Sequence, residues 1–165
     1  MKWHELGEKN CPVARSLSIL GDRWTLLIIR NAFLRTCRFE DFQKQLGITR
    51  HLLSDRLNRL VEKKVFKKVL YQEAPKRYEY KLTEAGLALY PVMLVLTNWG
   101  NTWMNEDGSH PPLEYVHKPC GHKTSPELRC SECGEEIHPR DMMPLMDGLQ
   151  NNTGRPLAIP DSQDG

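Results

Sequence analysis

Apolar positions recur at helical spacing in two runs between Phe39 and Leu60. Phe39, Phe42 and Leu46 share one face, Gly47 ends that run, and Thr49 is placed to cap a second helix beginning near Arg50. On the second run Leu53, Leu57, Leu60 and Val61 stand at i, i+4, i+7 and i+8, an apolar stripe that needs cover from neighbouring helices. His51, Asp55, Asn58 and Glu62 fall on the opposite face. Arg50, Ser54, Arg56 and Arg59 flank the stripe or occupy its exposed start. The period then changes. Residues 65–72 and 77–82 are short β-rich runs joined by Glu73-Ala74-Pro75-Lys76, a turn with a basic tip. Two helices meeting at a tight turn and followed at once by a hairpin predict a winged helix-turn-helix.

Upstream, Pro12 opens a helix to about Leu20 and places Cys11 at its cap. Asp22 to Leu34 follows as a strongly apolar helix in which Trp24, Leu27, Ile28 and Leu34 line the core. Arg23 and Arg30 are its charged exceptions; each could touch a phosphate, and an ion pair with an acidic neighbour is the preferred role. After the hairpin, Thr83 caps a long helix with Glu84 in its first turn, and Pro91 is expected to bend or loosen it. Tyr90, Met93, Leu94, Leu96, Trp99 and Trp103 give that helix more apolar surface than one small core can cover. A second subunit is the expected cover.

The predicted class is α+β, mostly α: a winged helix-turn-helix with a long C-terminal dimerisation helix and a small zinc-ribbon-like appendage. The organisation reads as an N-terminal arm (1–10), a DNA-binding and dimerisation domain (11–104), a linker (105–116), the zinc-ribbon-like module (117–147) and a disordered tail (148–165) rich in Asn, Pro, Asp and Gly.

Charge sharpens this picture. The chain of 165 residues carries a formal net charge of only +2. From Arg35 to Lys81, however, 13 Lys and Arg face 6 Asp and Glu, a balance of +7 that leaves −5 for the rest. A basic field concentrated on the helix-turn-helix and hairpin suits a polyanion. A helix anchored by leucines, with a polar N-terminal end and arginines on its sides, has what a major-groove reader needs. Thr49 starts it. Arg50, His51, Ser54 and Asp55 are candidates for base edges, Asp55 only if it accepts from cytosine or orients an arginine. Arg38, Arg56, Arg59, Lys76 and Arg77 are candidates for phosphates or the minor groove. The expected partner is a double-stranded, palindromic operator bound by a homodimer.

The apolar stretch Leu87–Trp99 is interrupted by Pro91, Thr97 and Asn98 and is too short for a bilayer; with no secretory leader, no membrane partner and a cytoplasmic location are expected.

These pieces resemble the bacterial HxlR family of winged-helix transcription regulators. The resemblance is carried by Cys-Pro-Val at 11–13, Leu-Gly-Asp-Arg-Trp-Thr-Leu-Leu-Ile-Ile-Arg at 20–30, Arg-Phe-Glu-Asp-Phe at 38–42, Leu-Leu-Ser-Asp-Arg-Leu at 52–57, Arg-Tyr-Glu-Tyr-Lys-Leu-Thr-Glu-Ala-Gly at 77–86 and Asn-Trp-Gly at 98–100. They occur in order and cover roughly residues 10–103. The resemblance implies a DNA-binding homodimer that represses or activates nearby genes, responding to a small-molecule or oxidant effector. Relatives of this kind include members that sense electrophiles or oxidants through the cysteine of the Cys-Pro motif, which makes Cys11 the sensing candidate; a buried packing role is the alternative. Cys37 reads as a resolving thiol or, by preference, as filler.

In a cytoplasmic protein, five cysteines read better as metal ligands or reactive thiols than as a disulfide frame. His117-Lys-Pro-Cys120-Gly and Cys130-Ser-Glu-Cys133-Gly are matching knuckles, each a pair of ligand types three positions apart followed by glycine. His117, Cys120, Cys130 and Cys133 can close a tetrahedral site for a structural Zn2+, with His122 as alternative fourth ligand and His138 as a distant third choice. Two other classes of function fit parts of the chain. A zinc-containing interaction adaptor could use the same helix and knuckles, and would bind independently of salt. A thiol or zinc enzyme fits less well, since no general base is paired to Cys11 and no zinc motif has an open position.

Overall fold

Local signals set the ends of most helices. In the computed structural model, which describes residues 11–105, 108 and 112–142, Pro12 opens α1 (Pro12–Leu20) with Cys11 extended at its N-cap. Asp22 caps α2 (Arg23–Phe33), its carboxylate accepting from the amides of Trp24 at 3.1 Å and Thr25 at 3.2 Å. α3 (Phe39–Leu46) ends at Gly47, whose φ of 62° lies in the left-handed region that glycine enters without steric cost. α4 (Arg50–Glu62) starts from Thr49, whose hydroxyl accepts from the Leu52 amide at 3.4 Å. The arm at 1–10 and the tail at 148–165 lie outside the described residues, as does the end of the zinc-ribbon-like module.

Strands β1 (Phe66–Gln72) and β2 (Arg77–Leu82) form the antiparallel hairpin, paired from Phe66 opposite Leu82 to Leu70 opposite Tyr78, with an irregularity before Gln72. A single bridge between Arg38 and Glu79 ties the start of α3 to β2. The core lies where these elements meet. Ile28, Ile29, Phe42, Leu53, Leu57, Leu60 and Phe66 are buried, with Phe42 edge-on to Phe66 at 6.5 Å. Each such side chain contributes about 1.5–3 kcal/mol by leaving water.

Three expectations for α2 need correction. Leu27 is not part of the core cluster, against which Leu26 packs instead. Leu34 falls past the last helical residue, at the C-cap, and is 56% exposed, while Ile29 takes the core position. Arg30 donates to Asn31 Oδ1 at 3.0 and 2.7 Å rather than to a carboxylate. Buried Asn31 in turn donates to Gln45 Oε1 at 2.9 Å, which also accepts from Thr36 at 2.8 Å, so a satisfied polar network joins α2 to α3. Arg23 lies over the Trp24 ring at 5.6 Å.

The long C-terminal helix is broken rather than bent. Thr83 caps a single turn, α5 (Glu84–Leu87), accepting from the Gly86 amide at 3.2 Å. A second helix, α6 (Tyr90–Trp103), then begins with Pro91 in its first turn, because proline has no N–H to continue the ladder. Met93, expected at a dimer surface, is only 8% exposed and packs in the subunit's own core; Leu94 is half-buried, and the Tyr90 ring lies tilted at 56° against Phe33 with centroids 4.9 Å apart. Val92, Leu96, Trp99 and Trp103 remain exposed along one stripe.

The chain divides into two compact units, Met1–Leu113 and Glu114–Gly165. At the end of the first, the Asn101 side chain accepts from and donates to the Leu113 backbone at 3.2 and 2.9 Å. The second contains the hairpin of β3 (Tyr115–His117) and β4 (His122–Thr124) and a 3-10 turn at Pro139–Asp141. Strand β3 thus begins inside the stretch read as linker. No helix among the described residues is long and apolar enough to cross a membrane.

Candidate nucleic-acid interface

The capping of Thr49 leaves the first turn of α4 at the surface, with Arg50 and His51 both exposed. The Arg50 guanidinium lies over the Phe39 ring at 4.9 Å, so the preceding helix supplies a support for that arginine. One turn on, half-buried Ser54 accepts from Asn58 Nδ2 at 3.5 Å, and Asn58 Oδ1 accepts from Lys68 of β1 at 2.9 Å. The solvent face of α4 is thereby braced on the wing.

Arg56 and Arg59, expected to reach phosphates, turn inward. Arg56 donates to Asp22 at 2.9 and 3.2 Å and also to the neighbouring Asp55 carboxylate; its side chain is 20% exposed. Arg59 donates to the Ser18 carbonyl. Both stand beside the leucine stripe, where α1 and the start of α2 offer anionic or carbonyl partners closer than solvent. Asp55 contacts the Arg56 guanidinium while its own side chain stays 59% exposed. Asp22 is held below the usual carboxylate range: burial works to raise it, but the Arg56 hydrogen bond and charge and the Thr25 and Trp24 amides outweigh that push.

In the wing, Lys76 and Arg77 are exposed at the tip. Arg38 stacks over Tyr71 at 4.7 Å and pairs with Glu79 at 3.5 Å, its side chain still 51% exposed. Glu79 also pairs with Lys81 at 3.0 Å. The Lys81 hydrogen bond first, then the Lys81 charge and the Arg38 contacts, keep its carboxyl below the usual range against an upward push from burial.

The two halves meet. Phe39, Glu40, Arg50 and Ser54 of the helix-turn-helix line one open cleft with Tyr71, Lys76, Arg77, Tyr78 and Tyr80 of the wing. Three cations and four aromatic rings thus share one groove with Glu40 and Ser54, a lining that offers both phosphate contacts and flat apolar faces. The tyrosines, Glu40 and Lys68 were not among the sequence candidates. Tyr78 and Tyr80 share a strand face at i, i+2, a readable signal; Tyr71 is hidden by the irregular register at that point.

Among the described residues no cysteine lines that cleft, although the Cys37 carbonyl accepts from the Tyr80 amide at 2.7 Å. Cys11 is half-buried at the α1 cap. Cys37 is half-buried, and its thiol is pushed up by burial and by Glu79 against the opposing charges of Arg38 and Lys81. In the second unit His117 Nδ1 is 3.3 Å from Cys120 Sγ, and the Cys130 thiol is lowered by hydrogen bonds from the Cys133 and Glu132 amides and from the Cys133 side chain. His122 stands opposite His117 in the hairpin, and His138 Nδ1 accepts from the Arg140 amide at 3.3 Å. Among the described residues no three His, Cys, Asp or Glu side chains converge to hold a metal ion. The expected ligands are gathered two by two.

Residues 19–108 match the HxlR-like helix-turn-helix family. The chain is 44% identical over 132 residues to the uncharacterized HTH-type transcriptional regulator Rv3095 of Mycobacterium tuberculosis, covering 80% of this chain and 83% of that protein. It is 32% identical to the HTH-type regulator YdeP of Bacillus subtilis, over 58% and 75% of the two chains. Among solved structures, that of PA1607, a candidate transcription factor, superposes with a TM-score of 0.78 at 32% identity, over 87% of this chain and 99% of that one. The reduced form of the redox regulator HypR superposes with a TM-score of 0.55 at 27% identity, over 61% and 100%.

Proposed function

The chain belongs to the HxlR-like helix-turn-helix family of transcriptional regulators, and on that premise we propose that it reads a palindromic operator as a homodimer, with the first turn of α4 in the major groove. The observation that supports this is the shared cleft, in which Arg50 and Ser54 of the reading helix face Lys76 and Arg77 of the wing. Arg50 and His51 address base edges, with Ser54 beside them. Lys76, Arg77 and the exposed part of Arg38 address phosphates or the minor groove. Arg56 and Arg59 keep the helix seated.

Val92, Leu96, Trp99 and Trp103 recur at intervals of four, three and four, the spacing of a helix seam, and are exposed on the single subunit. That exposed stripe supports the homodimer, with a second copy as its cover. Twin reading helices then sum their contacts on a twofold-symmetric site. Responsiveness to oxidants or electrophiles through Cys11 belongs to the same proposal; it is supported by the position of Cys11 at a helix cap and by likeness to HypR, itself a redox regulator.

Selection of bound duplexes from a random pool, followed by fluorescence anisotropy over a salt series, tests the reading. Arg50→Ala is expected to weaken the selected operator by about 1–3 kcal/mol while changing random duplex little. Lys76→Ala and Arg77→Ala are expected to weaken both alike and to flatten the salt slope by about one each. Equal losses on both duplexes for Arg50→Ala would refute its assignment, and salt-independent affinity would point to a protein-interaction adaptor instead.

A further inference from the structure

The second unit repeats one backbone device on two unrelated stretches of sequence. In the first, between β3 and β4, the Gly121 amide donates to the His117 carbonyl at 2.8 Å, the Cys120 amide donates to the same carbonyl at 3.2 Å, and Gly121 has φ +72°. In the second, between the paired residues Arg129 and Glu136, the Gly134 amide donates to the Cys130 carbonyl at 3.0 Å, and Gly134 has φ +74°. What the two loops share is a metal-ligating side chain, another three positions on, and a glycine in the left-handed region. A glycine turn alone requires neither ligand.

A second observation concerns what could hold these loops in place. Between Glu114 and Met142 no residue is buried, and Val116, Leu128 and Met142 are each more than half exposed. A segment this short without a core gains too little from apolar burial to fix two hairpin-like loops. One pair of candidate ligand atoms is already spaced for another source of stability. His117 Nδ1 stands 3.3 Å from Cys120 Sγ, close to the roughly 3.6 Å that separates nitrogen and sulfur ligands sharing one tetrahedral zinc.

We propose that the two loops are half-sites for one structural Zn2+ ion, held by His117, Cys120, Cys130 and Cys133. Three thiolates and one imidazole form a soft to borderline set that favours tetrahedral zinc, and four protein ligands leave no position open for water. The role is therefore structural, with folding of the second unit coupled to metal binding. Because the described residues bring the ligands together in pairs, closure draws one loop onto the other.

The test uses the full-length, untagged protein. Purified under reducing conditions and dialysed, it is expected to carry about one Zn2+ per chain by mass spectrometry of its metals. Stripped with chelator and titrated with Co2+, it should develop the visible and thiolate bands of a tetrahedral sulfur-rich site, which Zn2+ then abolishes. Cys120→Ser and Cys133→Ser should each lose the metal, whereas Cys37→Ser should keep it. Added Zn2+ should also protect the stripped wild-type chain from proteolysis between residues 114 and 142, a readout that needs no variant. A wild-type protein that takes up neither metal, or a Cys120→Ser, Cys133→Ser double variant that binds as before, would overturn the site. Metal retained by His117→Ala and lost by His122→Ala would overturn the choice of His117.

Discussion

Arg56 grips Asp22 with two donors, Nε at 2.9 Å from one carboxylate oxygen and Nη2 at 3.2 Å from the other. Asp22 is also the residue whose carboxylate caps α2. One side chain therefore both caps the central core helix and ties down α4 through Arg56.

Removing that carboxylate takes away a cap and strands a partly buried guanidinium. Asp22→Ala is expected to cost about 2–4 kcal/mol in urea unfolding. The pH dependence carries a sign. The folded-state pKa of Asp22 lies below the ordinary aspartate value, so its stabilisation is present above about pH 4 and is lost as pH falls through the depressed value. Asp22→Asn should accordingly show a shallower acid decline than the wild type. An identical decline would mean that other carboxylates dominate acid unfolding.

Gly86 is required by space. A Cβ there would meet the Val65 carbonyl oxygen at 2.3 Å and Leu82 Cδ2 at 2.9 Å. The leucine can shift, but the carbonyl is backbone and already accepts from the Thr83 amide at 3.1 Å. Gly86→Ala should destabilise by about 1–3 kcal/mol and lower Tm in scanning calorimetry. An unchanged Tm would show that the hairpin and α5 can part at no cost.

The cysteines should separate by reactivity. Cys37 stays protonated at neutral pH because burial and Glu79 raise its thiol, so alkylation followed by peptide mass spectrometry should find it slower than a small free thiol. Oxidant should alter operator affinity in the wild type and in Cys37→Ser, but not in Cys11→Ser. A full response in Cys11→Ser removes Cys11 from the mechanism.

Charge placed in the apolar stripe of α6 should split the dimer. Leu96→Glu and Trp99→Glu are expected to give monomers by light scattering at micromolar concentration, with unchanged helical circular dichroism, since neither side chain packs in the core. Dimers that persist in both variants would place the second copy on another face.

The parts legible in the sequence are those whose causes are local. Asp22, Gly47, Thr49 and Thr83 act within a few residues of the helix ends they set, and the leucines of α4 declare their face by spacing alone. Whatever depends on a distant partner was hidden. Arg56 and Arg50 are both arginines on the same helix, yet one has Asp22 within reach and the other an aromatic ring at the surface. Met93 and Leu96 are both apolar, and only the fold decides which of them faces the subunit's own core. At Pro91 the pattern runs on unbroken while the helix does not, because a missing donor leaves no mark in hydropathy. In the second unit, spacing disclosed the paired His and Cys side chains but not how near the pairs lie to each other.

The interruption before Tyr90 has a mechanical meaning. Restarting at Tyr90 frees α6 to take its own axis: Met93 in the core and Tyr90 against Phe33 pin its first turn, and its fourteen residues span about 21 Å. The apolar stripe is thereby carried on a helix aimed independently of the short turn that follows the wing.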